Sequence, residues 1–386
     1  MVPIIIKGVG IDGFGFYSSL VAMVALFTVI ADLGLEMYLS KEVSRVRANT
    51  GIVNSLTIDF LFVRIGASLI GVVPIIYLLD VSFSNPSFEV STSLLVVYFI
   101  LINLRPLCIM QGLEKYKESS IVEFFSKILI LVFLFLMDFS EDGINKAILA
   151  LLIPLFFTNV TYYILLLGNG KDDKYKFSTL RLRKLIKDSS GFYFSRLFTN
   201  LYLSSSPYLV SLFLKSDLVG IYSVIMQLYK SAQMLTSAIS KVLYTRSMLN
   251  NIMFIALRLS VITLILFIVF APFIHVYSSD AISFIFNVEY VGLSNYILLI
   301  SLSVLFHSIS SFIGYPILVS FNMENNAHLG VFVSGVMYYL FFLSVGFLIG
   351  HDLFTVLFSI LVADLTSLLI RGFQVSRLYL SIEKIV

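Results

Sequence analysis

The chain contains no tryptophan, one cysteine and very little charge. Each shortage removes an option. The single thiol, Cys108, can form neither an internal disulfide nor a thiolate metal site. The four histidines are scattered, with no zinc-binding spacing, so no metal and no other cofactor is expected. No glycine-rich loop ends in GK[ST], which removes the phosphate cradle an ATP-driven pump needs. A net charge of +3 gives no expectation of a nucleic-acid partner. The N-terminus lacks a basic region followed by a small-residue cleavage site, so no cleaved signal peptide is expected. Charged residues make up only 13% of the chain, against about a quarter in soluble domains.

What fills the space is apolar. Hydrophobic residues are 59% of the chain and the mean hydropathy is +0.97. A stretch of about 20 apolar residues spans the bilayer core as a helix. Lipid offers no partner to a free N–H or C=O, and the runs lack period-two alternation, so helices are expected rather than a barrel. Eleven runs stand near 17–38, 54–79, 93–112, 119–137, 147–168, 190–214, 219–243, 252–274, 295–319, 328–350 and 353–371. The expected class is an all-α polytopic membrane protein. With no tryptophan, the interfacial aromatic role falls to 21 tyrosines.

The loops orient the runs. Lys41, Arg45 and Arg47 follow the first; Lys115 and Lys117 follow the third; Lys171, Lys174, Lys176, Arg181, Arg183, Lys184 and Lys187 follow the fifth. Lys241 and Arg246 follow the seventh, and Arg377 and Lys384 the last. Intervening loops are poor in cations. The positive-inside rule therefore puts alternate loops and the C-terminus in the cytoplasm. The basic stretch 169–189 reads as a linker between lobes at 1–168 and 190–386.

A repeat supports two halves. DGFGFYS at 12–18 returns as DLVGIYS at 217–223, and the same offset aligns Lys41 with Arg246. Six runs separate the copies, so both halves face the same way, as a parallel repeat about the membrane normal. The repeat calls for a helix before Gly10, where only nine residues stand. The expectation is therefore two six-helix bundles with the first helix cut short.

Several strings resemble the Wzx-type polysaccharide flippases, which belong to the multidrug/oligosaccharidyl-lipid/polysaccharide exporter superfamily. PIIIKGVGIDGFGFY supplies Pro3, Lys7, Gly10, Gly15 and Tyr17, with Lys7 where that family usually has arginine. ADLGLEMYLSKEVSR resembles its DLG motif and basic loop, with Asp32 near the cytoplasmic end of a helix. QGLEKYKES, with Gln111 and Glu114, resembles its most specific turn. LIKDSSGFYFSRLFTNLYLSSSPYLVSLFL resembles its seventh helix, and FNVEYVG a later short loop. The resemblance implies a MATE-like pseudo-symmetric pair of bundles around a cavity. It implies transport of undecaprenyl-diphosphate-linked oligosaccharide across the bacterial plasma membrane by alternating access, for O-antigen, lipopolysaccharide or capsule synthesis. It implies no covalent chemistry, so the protein is not expected to be an enzyme. Partners are then the lipid-linked glycan, the bilayer, and the pathway's polymerase and chain-length proteins.

A charge at the bilayer centre costs at least ~2.5–3.5 kcal/mol, so cations inside the runs demand a reason. Arg64 lies about ten residues into its run, Lys230 and Asp364 about eleven and His307 about twelve; at ~1.5 Å per residue all four fall near the midplane. Cations from both halves could hold a diphosphate, Arg64 with its fork of donors and Lys230 as a point charge. The competing reading is an interhelical ion pair, Lys230 with Asp364 for example. Asp59, five residues before Arg64, is poorly aimed for a pair within that helix. Arg105 and Arg196 stand nearer the cytoplasmic face, where snorkelling satisfies them. Arg196, Asn200 and Ser204 form a stripe at i, i+4, i+8 that suits a polar path, or helix-to-helix hydrogen bonds. Lys127 has Glu123 four residues earlier, a self-neutralising spacing. Asp364 and His307 can titrate and couple transport to protons.

Two other functions compete. A MATE-like drug antiporter needs buried carboxylates for a cationic drug, whereas this chain has more cations than acids at depth. A polysaccharide polymerase resembles polytopic proteins with one large external loop, and the longest such loop here, near 275–294, has about twenty residues.

Overall fold

The computed structural model describes residues 1–82, 90–139, 142–167, 178–245, 252–286, 292–321 and 323–383. Its described residues form fifteen helical segments in two compact units, Met1–Leu212 and Phe213–Val386. The first unit holds α1 (Val2–Ala31), α2 (Leu35–Val46), α3 (Thr50–Ser82), α4 (Thr92–Asn103), α5 (Leu107–Gly112), α6 (Tyr116–Leu136), α7 (Gly143–Leu167), α8 (Thr179–Ser204) and α9 (Ser206–Ser211). The second holds α10 (Ser216–Thr245), α11 (Ile252–Phe286), α12 (Leu293–Ile313), α13 (Tyr315–Ser320), α14 (Glu324–Ile349) and α15 (Leu353–Glu383). Nine stretches among the described residues are long and apolar enough to cross a membrane. The two further expected spans fall on α8–α9 and α10, which are helical but more polar.

Burial is arranged for lipid rather than water. On α6 only Ser119, Ser126, Ile130 and Leu134 are buried, one narrow face at helical spacing. Phe124, Phe125, Phe135 and Leu136 point outward. Small polar groups inside and large apolar groups outside is the pattern that favours close helix contact in a bilayer.

Four helices bend or break for identifiable reasons. Gly10 has φ 75° and ψ 174°, a conformation that L side chains rarely adopt, and it divides α1 just before the DGFGFYS copy. Both copies then bury their tyrosine, Tyr17 and Tyr222. Pro106 separates α4 from α5, since it has no N–H to continue the ladder. The loosened carbonyls are satisfied from α7: Asn159 Nδ2 donates to Leu101 O (2.7 Å) and Tyr163 Oη to Leu104 O (2.6 Å). Ser205 and Pro207 mark the step from α8 to α9. Gly314 divides α12 from α13, and there Arg371 of α15 donates from Nη1 to Ser310 O (3.1 Å) and Ser310 Oγ (3.2 Å).

One helix was not anticipated. Residues 35–46 read as the end of a span plus a basic loop, yet they form α2. Leu35, Leu39 and Val43 recur every four residues and are wholly buried. They pack with Val53, Phe60 and Val63 of α3, Cys108 and Met110 of α5, Tyr162 of α7 and Leu185 of α8. The other face carries Glu36, Lys41, Glu42 and Arg45, so α2 belongs at the membrane–water boundary.

Candidate functional site

The DLG string makes the junction of the first unit. Asp32 caps α1, and Leu33 and Gly34 turn the chain with φ 52° and 78°. Asp32 Oδ1 then accepts from Glu36 N (3.3 Å), covering a free N–H at the start of α2. Ser189 of α8 donates from Oγ to Leu33 O (2.9 Å). A Cβ on Gly34 would run into Ser189 O and Tyr193 N, both backbone. Gly34→Ala therefore combines a strained φ, costing about 1–2 kcal/mol, with a clash that no rotamer relieves. A clear drop in the thermal midpoint of the purified protein is expected, and an unchanged midpoint would show that α2 and α8 can separate freely.

Arg64 reaches into this junction. Its side chain is 1% exposed, and Nη2 pairs with the buried Asp32 carboxylate. Glu36 Oε1 lies 3.4 Å from the same nitrogen, Asn103 Oδ1 lies 3.4 Å from Nη1, and the Phe60 ring stands under the guanidinium at 5.3 Å. The interhelical ion pair is the arrangement found. Depth explains part of it: α3 extends four residues before the expected start of the run, and its length is roughly 50 Å at ~1.5 Å per residue. Its ends outrun the hydrocarbon, and Arg64 meets partners where α1 ends and the charged α2 begins.

Asp59 has its own cation. Arg181 of α8 holds it in a two-pronged pair, Nε to Oδ2 at 2.5 Å and Nη2 to Oδ1 at 2.9 Å. The basic residues Arg181, Arg183, Lys184 and Lys187 ride the first turns of α8, which starts at Thr179. Arg105, in the break after α4, pairs with Glu123 of α6, whose Oε1 also accepts from Tyr162 Oη at 2.7 Å. The expected Glu123–Lys127 pair within α6 is thereby displaced: Glu123 turns to α7 and the α4–α5 break.

QGLEK is a helix stop with three anchors. Glu114 N donates to Gln111 O and Lys115 N to Met110 O, both at 3.0 Å, the paired bonds of a left-handed C-terminal cap. Glu114 takes φ 59° in the position glycine usually fills. Its carboxylate meets Arg47 at 2.5 Å, and Lys115 Nζ reaches Leu165 O at 3.5 Å. Gly112 lets α5 sit against Ser40 O and Val43 of α2. Gln111 and Lys7 are exposed.

In the second unit, Asp364 is 2% exposed. Tyr229 Oη donates to its Oδ2 at 2.6 Å, and His307 Nδ1 lies 3.5 Å from its Oδ1. Gln233 Nε2 is 3.1 Å from the same ring nitrogen. Asp364 and His307 are thus brought together, while Lys230 stands apart. Lys230 is half-buried and makes no ion pair with Asp364 or with any other described residue. Ser204 is half-buried. The side chains of Arg196 and Asn200 lie outside the described residues. Arg371, 5% exposed, is a buried cation that the apolar-run reading passed over because it closes the last run. Among the described residues no group of three or more His, Cys, Asp or Glu could hold a metal ion.

These features define a class: an all-α multi-pass membrane protein. The chain is similar to a multidrug resistance MATE family transporter of the MOP superfamily in an inward-facing conformation, with a TM-score of 0.71 at 14% identity, covering 99% of this chain and 93% of that one. It is equally similar to the lipid II flippase MurJ in an inward closed conformation, with a TM-score of 0.71 at 14% identity, over 97% and 86% of the two chains. A MOP superfamily transporter from Pyrococcus furiosus follows at a TM-score of 0.58 and 13% identity, over 99% and 96%. The comparison with curated proteins gives no match. The chain belongs to the polysaccharide biosynthesis protein family, whose sequence profile matches residues 1–244.

Proposed function

We propose that this protein flips an undecaprenyl-diphosphate-linked oligosaccharide from the cytoplasmic to the outer leaflet of the bacterial plasma membrane by alternating access. The glycan then serves O-antigen, lipopolysaccharide or capsule synthesis, and the C-terminus lies in the cytoplasm. The observation that carries this reading is a conjunction. Membership of a polysaccharide biosynthesis family coincides with a fold shared by a lipid II flippase and MATE transporters. A lipid-linked sugar satisfies both halves of that conjunction, and a drug satisfies only the second. The reading divides the chain into lobes at 1–168 and 190–386 joined by the basic stretch 169–189.

Within it, Lys230 is the residue we assign to the diphosphate, because its charge has no carboxylate among the described residues. Arg64 and Arg105 are already paired in this conformation. They reach the cargo only by exchanging a carboxylate for it. Arg196, Asn200 and Ser204 are assigned to the sugar path on their spacing alone. The motif residues Asp32, Gln111 and Glu114 are assigned to the cytoplasmic rim, and Lys7, at the far end of α1 from Asp32, to the outer side. The pathway's polymerase and chain-length proteins are the partners expected outside.

The test uses a strain deleted for this protein. Lipid-linked repeat units should accumulate and stay shielded from a membrane-impermeant periodate probe in spheroplasts. Restoring the chain should expose them to the probe. Accumulated glycan that is already accessible in the deletion strain would place the block after translocation and favour a polymerase.

A further inference from the structure

We infer that the cluster of Gln233, His307, Asp364 and Tyr229 is a proton-binding site in which one proton on His307 changes the helix to which α12 is tied. Only the use made of that proton rests on the flippase reading; the binding itself does not.

The argument starts from one atom. An imidazole nitrogen carries either a lone pair or an N–H, never both. His307 Nδ1 faces a donor and an acceptor at once. Gln233 Nε2 of α10 stands at 3.1 Å, and Asp364 Oδ1 of α15 stands at 3.5 Å. In the neutral ring with its proton on Nε2, the lone pair on Nδ1 accepts from Gln233 and faces the carboxylate unfavourably. With a proton on Nδ1, the same atom repels the amide N–H and pairs with Asp364. A second ring proton, carried on Nδ1, therefore exchanges an α10–α12 hydrogen bond for an α12–α15 ion pair.

The surroundings allow little else. Tyr229 is fully buried and fixes the second carboxylate oxygen at 2.6 Å, so Asp364 cannot rotate away. Its ring meets the imidazole edge-on at 6.4 Å. His307 keeps 26% of its side chain exposed, so the ring is not sealed inside the bundle. Other titratable groups on the packed helices are few. Among the described side chains of α10 they are Asp217, Tyr222, Tyr229 and Lys230, and no ion pair joins Lys230 to Asp364. On α11 the group bordering the adjoining cleft is Tyr277, an exposed phenol. Among the described side chains of α14 they are Tyr338 and Tyr339, and two turns along α15 stands Arg371, held by Ser310. Asp364 is the carboxylate paired with this imidazole. A sodium ion would need several oxygen ligands around one centre. Here the nearest groups to the carboxylate are a phenol that donates and a ring nitrogen, which suits a proton.

The experiment uses the full chain with 15N-labelled histidine, reconstituted in liposomes without glycan, and protons as the probe. The four histidine rings are followed by NMR between about pH 8 and pH 5, the interval in which histidine titrates. The His307 signal is assigned by its loss in His307→Gln. At the high end the wild type should show the neutral ring with its proton on Nε2, and at the low end the doubly protonated ring. In Asp364→Asn the ring should charge at a lower pH than in the wild type, because the opposite charge that favours the protonated form is gone. Gln233→Leu should lose the preference for the Nε2–H form while still charging, and serves where Asp364→Asn does not fold. A wild-type ring that remains neutral throughout, or one that charges identically in Asp364→Asn, would overturn the proposal. So would a signal that moves when sodium replaces potassium at fixed pH, which would make this a sodium site. No glycan is present, so failure here leaves the flippase reading standing, and failure of the periodate test leaves this one.

Discussion

Arg64→Ala is expected to be among the most damaging single substitutions in the chain, and through folding rather than cargo. The variant should accumulate poorly and unfold at a much lower temperature in detergent. Removing one partner of a buried pair leaves the other charge uncompensated, a loss of about 3–5 kcal/mol. Asp32 is the charge left behind, nearly enclosed at the joint of α1, α2 and α8. Glu36, a second carboxylate beside the vacated guanidinium, adds negative charge to the junction rather than relieving it. The double variant Asp32→Asn, Arg64→Gln removes both charges and keeps the shapes, so it should recover most of the lost midpoint; coupling of this kind is what contacting residues show. Export then separates the two roles. A double variant that folds and exports limits Arg64 to holding the junction. A double variant that folds but exports nothing, beside an Asp32→Asn single that exports, makes Arg64 a ligand of the diphosphate.

The class of fold could be read from the sequence because lipid imposes one rule along the whole chain. Any run long enough to span must be a helix, and all eleven runs fall on helices. The ends were less legible. Apolarity stops at the first charges, but a helix continues into water as long as its hydrogen bonds do. So α8 starts at Thr179 rather than 190, α11 runs on to Phe286, and α15 reaches Glu383. The signal for α2 was present in Leu35, Leu39 and Val43, and was masked by the cations on its other face. Depth counting singled out Arg64 and Asp364 as residues in need of a partner. It could not name Asp32, 32 residues away, or Tyr229, 135 residues away, because pairing is a property of helix packing. The same limit hid Arg181 behind its place in a basic stretch, when its fork closes on Asp59 of α3.

Lys230→Ala is expected to lower export of the lipid-linked glycan by roughly 10–100-fold with little change in thermal midpoint. That range is the value of one hydrogen bond to a charged group, about 1.5–3 kcal/mol. The reason is the contrast with four other cations described above. Arg64, Arg105 and Arg181 each face a carboxylate, and Arg371 closes on the Ser310 carbonyl and hydroxyl. Lys230 alone of these five has no such contact among the described residues, and a half-buried ammonium without a counter-charge is costly to keep unless an anion visits it. Lys230→Arg should retain most of the export, because a diphosphate accepts either cation. Lys230→Met decides the matter, since it preserves the aliphatic stem and its packing while deleting the charge. If Lys230→Met exports like the wild type, the lysine serves only as a stem, and the diphosphate must be held by a cation that is released from its present carboxylate during the cycle. If it exports like Lys230→Ala, the charge itself meets the cargo, and Arg64 is left to hold the joint of α1, α2 and α3.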